Sequence, residues 1–551
     1  MSKKLTKYAA ASQRRAELKM DDAEVNFMGG VSYRVDPLLR LKFVAASSIF
    51  GEPQYYRAGL KVKDAKYERD AIFGDKDEFS LSFDKYAGKD TSEVFTEIID
   101  EALDFDFYGV VRLASTLRGT YNMRLNPQVI MVRAAIHPKR KEFTEAHPGV
   151  FAEIEQLVMR RADEPATQLA YYLFVKGGKA KLPTLLKRAW AKNLAGRDAY
   201  EINKYKNSEV GILNTVRVCH ANSKVIDELC KTGKVSVAAD ESTWEALKSA
   251  GKTWKEIIST INMGHMALVR NARGIFKEIS DPDTLRWYKD AVLGGVKGGK
   301  QFPFRYYSAY KAVKDSDANF VPQLMDLFQE CMEKSLDNMP KLKGRTMCLS
   351  DNSGSAWGEF TSEFGTVTVA DIDNLSSVIA ARCSDEGYVA KFGDKIKYAP
   401  VSKMDGILTQ TLRMSEGSTN DIGGGTETGI WLFFEKAIRE KDKYDNIFIF
   451  SDQQAGTGGL YTTKGDAPKD SQFRLHGTYV NVYACILEYR RKVNPKVNVF
   501  SVQTAGYDNC VVPQMAYRTA LLTGWTGKEI LFASEYIKNW DEAECKSQQK
   551  Q

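Results

Sequence analysis

No apolar run in this 551-residue chain approaches the roughly 20 residues needed to span a bilayer, so no membrane helix is expected. The opening stretch MSKKLTKYAAASQRRAELK is basic and carries no apolar segment. It does not read as a secretory leader, and a cytoplasmic location is the expectation. The sequence has no CxxC and no HExxH. Its eight cysteines (219, 230, 331, 348, 383, 485, 510 and 545) are scattered and its five histidines do not cluster. That pattern argues against a zinc site and against a disulfide framework.

What is present is an ordinary globular composition, 43% hydrophobic and 27% charged, in a chain too long for one core. The charge is unevenly spread. Residues 341–551 hold 25 Lys and Arg against 26 Asp and Glu, a balance of −1, so the whole-chain +7 leaves +8 on residues 1–340. A polyanion would be held by that first part.

From about 90 to 338 the pattern is helical. TEIIDEALDFDFYGVVRLASTLR, VFAEIEQLVMRRA, LPTLLKRAWAKNLAG and WKEIISTINMGHMALVRNARGIFKEI place apolar residues at three and four spacing, punctuated by Gly, Pro or Asx. Successive short-linked helices predict a stack of helix pairs, an α-solenoid without a crisp repeat. From 344 the grammar changes. TMCLS, YVAKFGD, NIFIFSD and VNVFSVQT are short apolar strands separated by helical stretches near 372–382, 428–440 and 478–491. This predicts a parallel sheet covered on both faces. The boundary is expected near NMPKLKG.

Three of those strands run into loops rich in oxygen acceptors. Asp351-x-Ser353-x-Ser355 follows the first, STNDIGGGTETG brings Thr426 to the start of a helix, and Asp452 follows IFIFS. Ligands of open parallel sheets bind at the carboxyl ends of strands. Two carboxylates and three hydroxyls there form a hard, all-oxygen set suited to Mg²⁺ or Mn²⁺. In order, strand context and the 75-residue gap from Asp351 to Thr426, the set resembles the metal-ion-dependent adhesion site of von Willebrand factor A domains. An aspartyl-phosphate hydrolase would need a second Asp where Ser353 stands.

Cations in the helical part suit phosphate contact. TLRGTYNMRLNP interleaves Arg118 and Arg124 with Tyr121, HPKRKE carries Lys139 and Arg140, and LLKRAWAK carries Lys187, Arg188 and Lys192. Should the stacked helices close into a ring, Arg270 and Arg273 either line its opening or hold helices together.

Several phrases are similar to the Ro autoantigen family, the TROVE module: GGVSYRVDPLLRLKFVAASSIFGEPQYY, LPTLLKRAWAKNLAGRDAYEINKYK, STWEALKSAG, MALVRNARGIF and FPFRYYSAYKAV, in that order. The resemblance implies a ring of HEAT-like helical repeats over 20–340, closed by a doubly wound A domain over 341–538, with flexible segments at 1–19 and 539–551. It implies that small structured noncoding RNAs of the Y RNA type bind the outer face, and that single-stranded 3′ ends of misfolded RNAs enter the hole. It places Lys204, Lys206 and His220 in the Y RNA contact stretch NKYKNSEVGILNTVRVCHANSK, and Arg217 one helical turn before His220 shares its face. The stretch is one residue shorter after Lys206 than the family pattern and has no Arg in the intervening turn, so one phosphate contact of that pattern does not carry over to a matching residue.

The expectation is therefore a non-enzymatic, monomeric RNA scaffolding or quality-control protein that presents RNA to an exoribonuclease. The alternative is an adaptor whose cation captures an acidic partner residue.

Overall fold

In a computed structural model the described residues are 23–25, 31–34, 36–46, 91–120, 123–176, 181–205, 211–237, 242–358, 368–417, 420–423, 427–453, 482–504, 509–512, 515–523 and 528–548. Two short strands, β1 (Ala23–Val25) and β2 (Val31–Arg34), precede a helical array. The array runs α1 (Pro37–Ala46), α2 (Thr91–Gly119), α3 (Leu125–Ile136), α4 (Arg140–Ala146), α5 (Val150–Val158), α6 (Glu164–Lys176), α7 (Thr184–Ala195), α8 (Ala199–Tyr205) and α9 (Ile212–Cys219). It continues through α10 (Lys224–Thr232), α11 (Trp244–Ser249), α12 (Trp254–Thr260), α13 (His265–Glu278), α14 (Pro282–Gly299), α15 (Pro303–Lys314) and α16 (Val321–Ser335).

Local chemistry sets several of these boundaries. Ser223, Thr243 and Thr253 each accept a backbone N–H in the first turn that follows, and Thr253 completes a capping box with Glu256. Asp281 caps α14 just before a proline at its first position. The 29-residue α2 is broken at Asp106, which leaves helical geometry (φ −151°, ψ 88°). Its carboxylate takes the Gly109 N–H at 2.8 Å and restarts the helix.

The second part is a sheet of seven strands in the order β5-β4-β3-β6-β7-β10-β9. Its strands are β3 (Leu342–Asp351), β4 (Ser384–Phe392), β5 (Ile396–Ala399), β6 (Asn446–Ser451), β7 (Asn498–Gln503), β9 (Met515–Ala516) and β10 (Thr519–Thr523), with β8 (Asn509–Cys510) lying outside it. The five central strands are parallel. The edge strands β5 and β9 are antiparallel additions that the sequence pattern did not signal. Between the strands run α17 (Gly354–Gly358), α18 (Val369–Arg382), α19 (Ile407–Ser415), α20 (Glu427–Glu440) and α21 (Val482–Lys492), and α22 (Lys528–Gln548) follows.

Side-chain alternation along the strands divides two cores. Met347, Leu349, Ile447, Ile449 and Val499 pack with Trp431, Phe434 and Ile486 of α20 and α21. Cys348, Phe448, Phe450, Phe500 and Val502 face the other way, into a core that includes α18, α19 and α22 and is continuous with the helical array. The array and the sheet are joined there: Arg382 of α18 donates to Glu333 of α16 at 2.7 Å. The sheet region also meets the start of the array, because β2 pairs antiparallel with β8, Tyr33 opposite Cys510, and the Lys42 ammonium sits 4.9 Å from the Phe532 ring centre. Helices thus form a circuit whose two ends both touch the sheet region.

Residues 539–548, the described part of the segment expected to be a flexible tail, are helical; residues 549–551 lie outside the described residues. Helix α22 continues to Gln548, Trp540 stacks on Phe500 with ring centres 5.7 Å apart, and Arg518 donates to Asp541 at 2.6 Å. The apolar and aromatic residues of that last helix are paired with the sheet, which a polar-looking sequence end did not reveal. Residues 1–19 lie outside the described residues.

Candidate cation site and nucleic-acid interface

The carboxyl ends of β3 and β6 are neighbours because those strands pair in parallel, Ser350 opposite Phe450. That register brings Asp351 and Asp452 together, both fully buried. One Asp351 oxygen accepts the Ser353 N–H at 2.9 Å and the other accepts the Ser451 hydroxyl at 2.6 Å. Ser353 and Ser355 Oγ are 3.2 Å apart, and Ser355 donates to Asp452 Oδ2 at 2.8 Å. Four of the five expected donors therefore converge. Thr426 lies outside the described residues.

The loop is braced from below. Asn352 and Asn374 of α18 exchange side-chain hydrogen bonds at 2.8 and 3.0 Å, and Ser350 donates to Asn374 at 2.7 Å. Burial, and then the neighbouring Asp452 charge, pushes the Asp351 carboxyl up to about 7 despite donors from Ser451 and Ser353. Two buried carboxylates facing one another are costly without a positive charge between them, so the donor set fits a divalent cation. Among the described residues no three carboxylate, thiol or imidazole side chains form a cage for an ion. The set is instead two carboxylates with hydroxyls. Sequence reasoning missed a third buried carboxylate nearby, Asp373 on α18, because it follows no strand and matches no motif.

In the helical array the expected RNA residues divide. Lys204 is exposed at the end of α8, its ammonium 5.4 and 5.5 Å from the Tyr200 and Tyr205 ring centres. Arg217 and His220 are exposed at the end of α9, and His220 caps that helix in left-handed geometry (φ 59°). Arg124 and Arg270 are exposed. Lys139 is held by Asp104, 3.3 Å from its carboxylate. Lys206 and Tyr121 fall outside the described residues.

Arg118 corrects the sequence reading. It is only 4% exposed and is paired with buried Glu164 at 2.9 Å. A phosphate could reach it only by leaving Glu164 uncompensated in the core. The sequence could not distinguish it from a surface cation, since its partner lies 46 residues away.

Two patches that are separate in sequence become one. Arg140 of α4 and Lys187, Arg188 and Lys192 of α7 sit on neighbouring helices around α5. Of these, Arg140, Arg188 and Lys192 line a single groove of about 1150 Å³ together with Lys181. Glu153 is its only acidic lining residue among the described residues, and Leu157 and Leu182 give it an apolar wall. Half-buried Lys187 is not among the lining residues.

Comparison with known proteins bears on the architecture. No family model matches the sequence. A solved structure, the Ro (RSR) protein of Deinococcus radiodurans, superimposes with a TM-score of 0.56, covering 80% of this chain and 93% of that one at 13% identity. The chain has the fold of a Ro protein. The Ro fold accounts for a helical array and a sheet domain in one chain, as the sequence reading expected. Curated relatives are more partial. Acetylglutamate kinases of Trichormus variabilis and of Nostoc are 27% and 26% identical over 157 residues, 26% of this chain in each case. The chain spans about half the length of these curated relatives. No helix among the described residues is long and apolar enough to cross a membrane.

Proposed function

We propose that this chain is an RNA-binding protein of the Ro type, acting in RNA scaffolding or quality control without an enzymatic step of its own. The observation that carries this reading is the groove in which Arg140, Lys181, Arg188 and Lys192 face one carboxylate, Glu153. Four guanidinium and ammonium groups on an apolar-walled groove match the phosphates and bases of an RNA strand. Lys204, Arg217 and His220, all exposed near the ends of successive helices, offer a second surface suited to a small structured RNA of the Y RNA kind. Single-stranded ends of misfolded RNA and an exoribonuclease are the further partners, and a cytoplasmic monomer is the expected form.

In the sheet domain, Asp351, Ser353, Ser355 and Asp452, with Thr426, would hold Mg²⁺ or Mn²⁺. Such an ion supplies a positive centre able to take a carboxylate or phosphate oxygen. That geometry favours a second reading, an adaptor that captures an acidic partner through the cation. A kinase reading rests on a stretch covering 26% of the chain, and a turnover assay with ATP and N-acetylglutamate tests it.

Crosslinking and sequencing of copurified RNA tests the main reading, comparing wild type with Lys204→Glu/Lys206→Glu/His220→Ser. Recovery of a discrete structured RNA by wild type, and its loss by the folded triple variant, is expected. Background RNA alone with wild type would remove the RNA assignment and leave the adaptor.

A further inference from the structure

Several buried oxygens without a hydrogen-bond partner fall beside the cation site: both carboxylate oxygens of Asp373, and the hydroxyls of Ser376, Ser377 and Thr504. All four residues are at most 3% exposed. Ser376 and Ser377 stand three and four positions after Asp373, on the same face of α18. Thr504 is anchored at the end of β7 by its N–H to the Ser451 carbonyl at 3.1 Å, and Ser451 is the residue that donates to Asp351. On the other side Asn374, next to Asp373, holds Ser350 and Asn352, which flank Asp351. Asp373 is therefore fixed behind the pair Asp351 and Asp452, close enough for the three charges to repel, with Thr504 beside it.

Asp373 is poorly satisfied by the protein. Apart from the neighbouring Thr504 hydroxyl, which makes no well-formed hydrogen bond to it, no group donates to an ionised carboxylate here or accepts the proton of a neutral one. Buried polar groups left in this condition mark the place of an ion or ordered water. The oxygens are all hard donors, which selects a cation of the Mg²⁺ class over a softer metal.

We propose that the cation site extends inward to Asp373. This carboxylate supplies a third negative charge facing the cation held by Asp351 and Asp452. It acts through its charge and through water shared with Thr504. Asp373 is thus a positioning residue that sets affinity for a doubly charged ion, and the inference rests on the reading of Asp351 and Asp452 as a cation site.

The test is titration calorimetry of the full chain with Mn²⁺, paired with the Mn²⁺-induced rise in melting temperature. The variants are Asp373→Asn, Thr504→Val and, as reference, Ser355→Ala. Outer partners of metal sites are worth about 10–100-fold in affinity, so Asp373→Asn is expected to bind Mn²⁺ at least about tenfold more weakly. Without metal it should melt at the same temperature as wild type or higher, since a poorly satisfied buried carboxyl is gone, while its Mn²⁺-induced shift shrinks. Thr504→Val should weaken binding in the same direction, and it decides the matter should Asp373→Asn not fold. Unchanged Mn²⁺ affinity in both variants overturns the role of Asp373 while leaving the cation site standing. Failure of wild type to bind Mn²⁺ removes the cation site itself, and this inference with it.

Discussion

Arg118 donates to Glu164 at 2.9 Å with both side chains almost wholly buried, so the second half of α2 is pinned to the start of α6 inside the helical array. Glu164 also accepts the N–H groups of Arg160 and Arg161, leaving little of its carboxylate unpaired. Removing one partner of a buried pair costs about 3–5 kcal/mol, because the other charge is stranded. Arg118→Ala is expected to lower stability by that order in urea unfolding. RNA affinity of the fraction that remains folded should be unchanged, and a selective loss of RNA binding at full stability would contradict this placement.

Glu155 of α5 is fully buried and carries no ion pair among the described residues, and burial pushes its carboxyl up to about 7. The unfolded chain releases this proton near the ordinary 4.5, so between the two values the folded state holds a proton that the unfolded state has lost. Its contribution is largest below about 4.5 and disappears as pH rises through about 7, at most on the order of 3 kcal/mol. Glu155→Gln should flatten that part of the stability profile and leave the variant more stable than wild type at pH 8. Parallel profiles for the two proteins would show that Glu155 is ionised in the fold.

The groove and the Lys204–His220 surface are separable by salt. Each phosphate contact removed from a single strand lowers the slope of log affinity against log salt by about 0.7. Arg140→Glu/Arg188→Glu/Lys192→Glu should flatten the slope for a labelled single-stranded oligoribonucleotide by about 2. Lys204→Glu/Arg217→Glu/His220→Ser should instead weaken binding of a folded hairpin RNA. Fluorescence anisotropy at several salt concentrations measures both, and an unaltered slope for the groove variant would remove the groove from the interface.

Gly299 closes α14 against His265, whose Nε2 lies 2.7 Å from the Tyr306 hydroxyl. A methyl group on Gly299 would fall 2.7 Å from His265 Cδ2. Alanine normally favours a helix over glycine by about 1 kcal/mol, but overpacking here costs about 1–3 kcal/mol. Gly299→Ala is expected to be net destabilising in urea, and a stabilised variant would show that His265 yields freely.

Much of the fold could be read from the sequence because its signals are local. The three-and-four spacing of α2, α5 and α13 and the apolar runs of β3, β6 and β7 are written in consecutive residues. The site motif Asp351-x-Ser353-x-Ser355 was legible for the same reason, and Asp452 because it ends a strand. What escaped depends on partners distant in the chain. Arg118 looks like any surface arginine until Glu164 arrives, and Asp373 like one more helical acid until α18 packs under β3 and β6. Lys181 joins Arg140 and Arg188 only through the packing of α4, α5 and α7. The short edge strands β5 and β9 had too few residues to show a period.

The antiparallel pairing of β2 with β8, Tyr33 opposite Cys510, makes the chain a loop fastened by contacts between its early and late segments. A fastened loop sorts its guests by topology as well as by chemistry. On the proposed RNA-binding reading, an RNA lying on the outside can be linear or circular, whereas one passing through a central opening would have to be threaded by a free end unless the fastening opens. A circularised RNA of unchanged sequence would therefore keep the first kind of binding and lose the second.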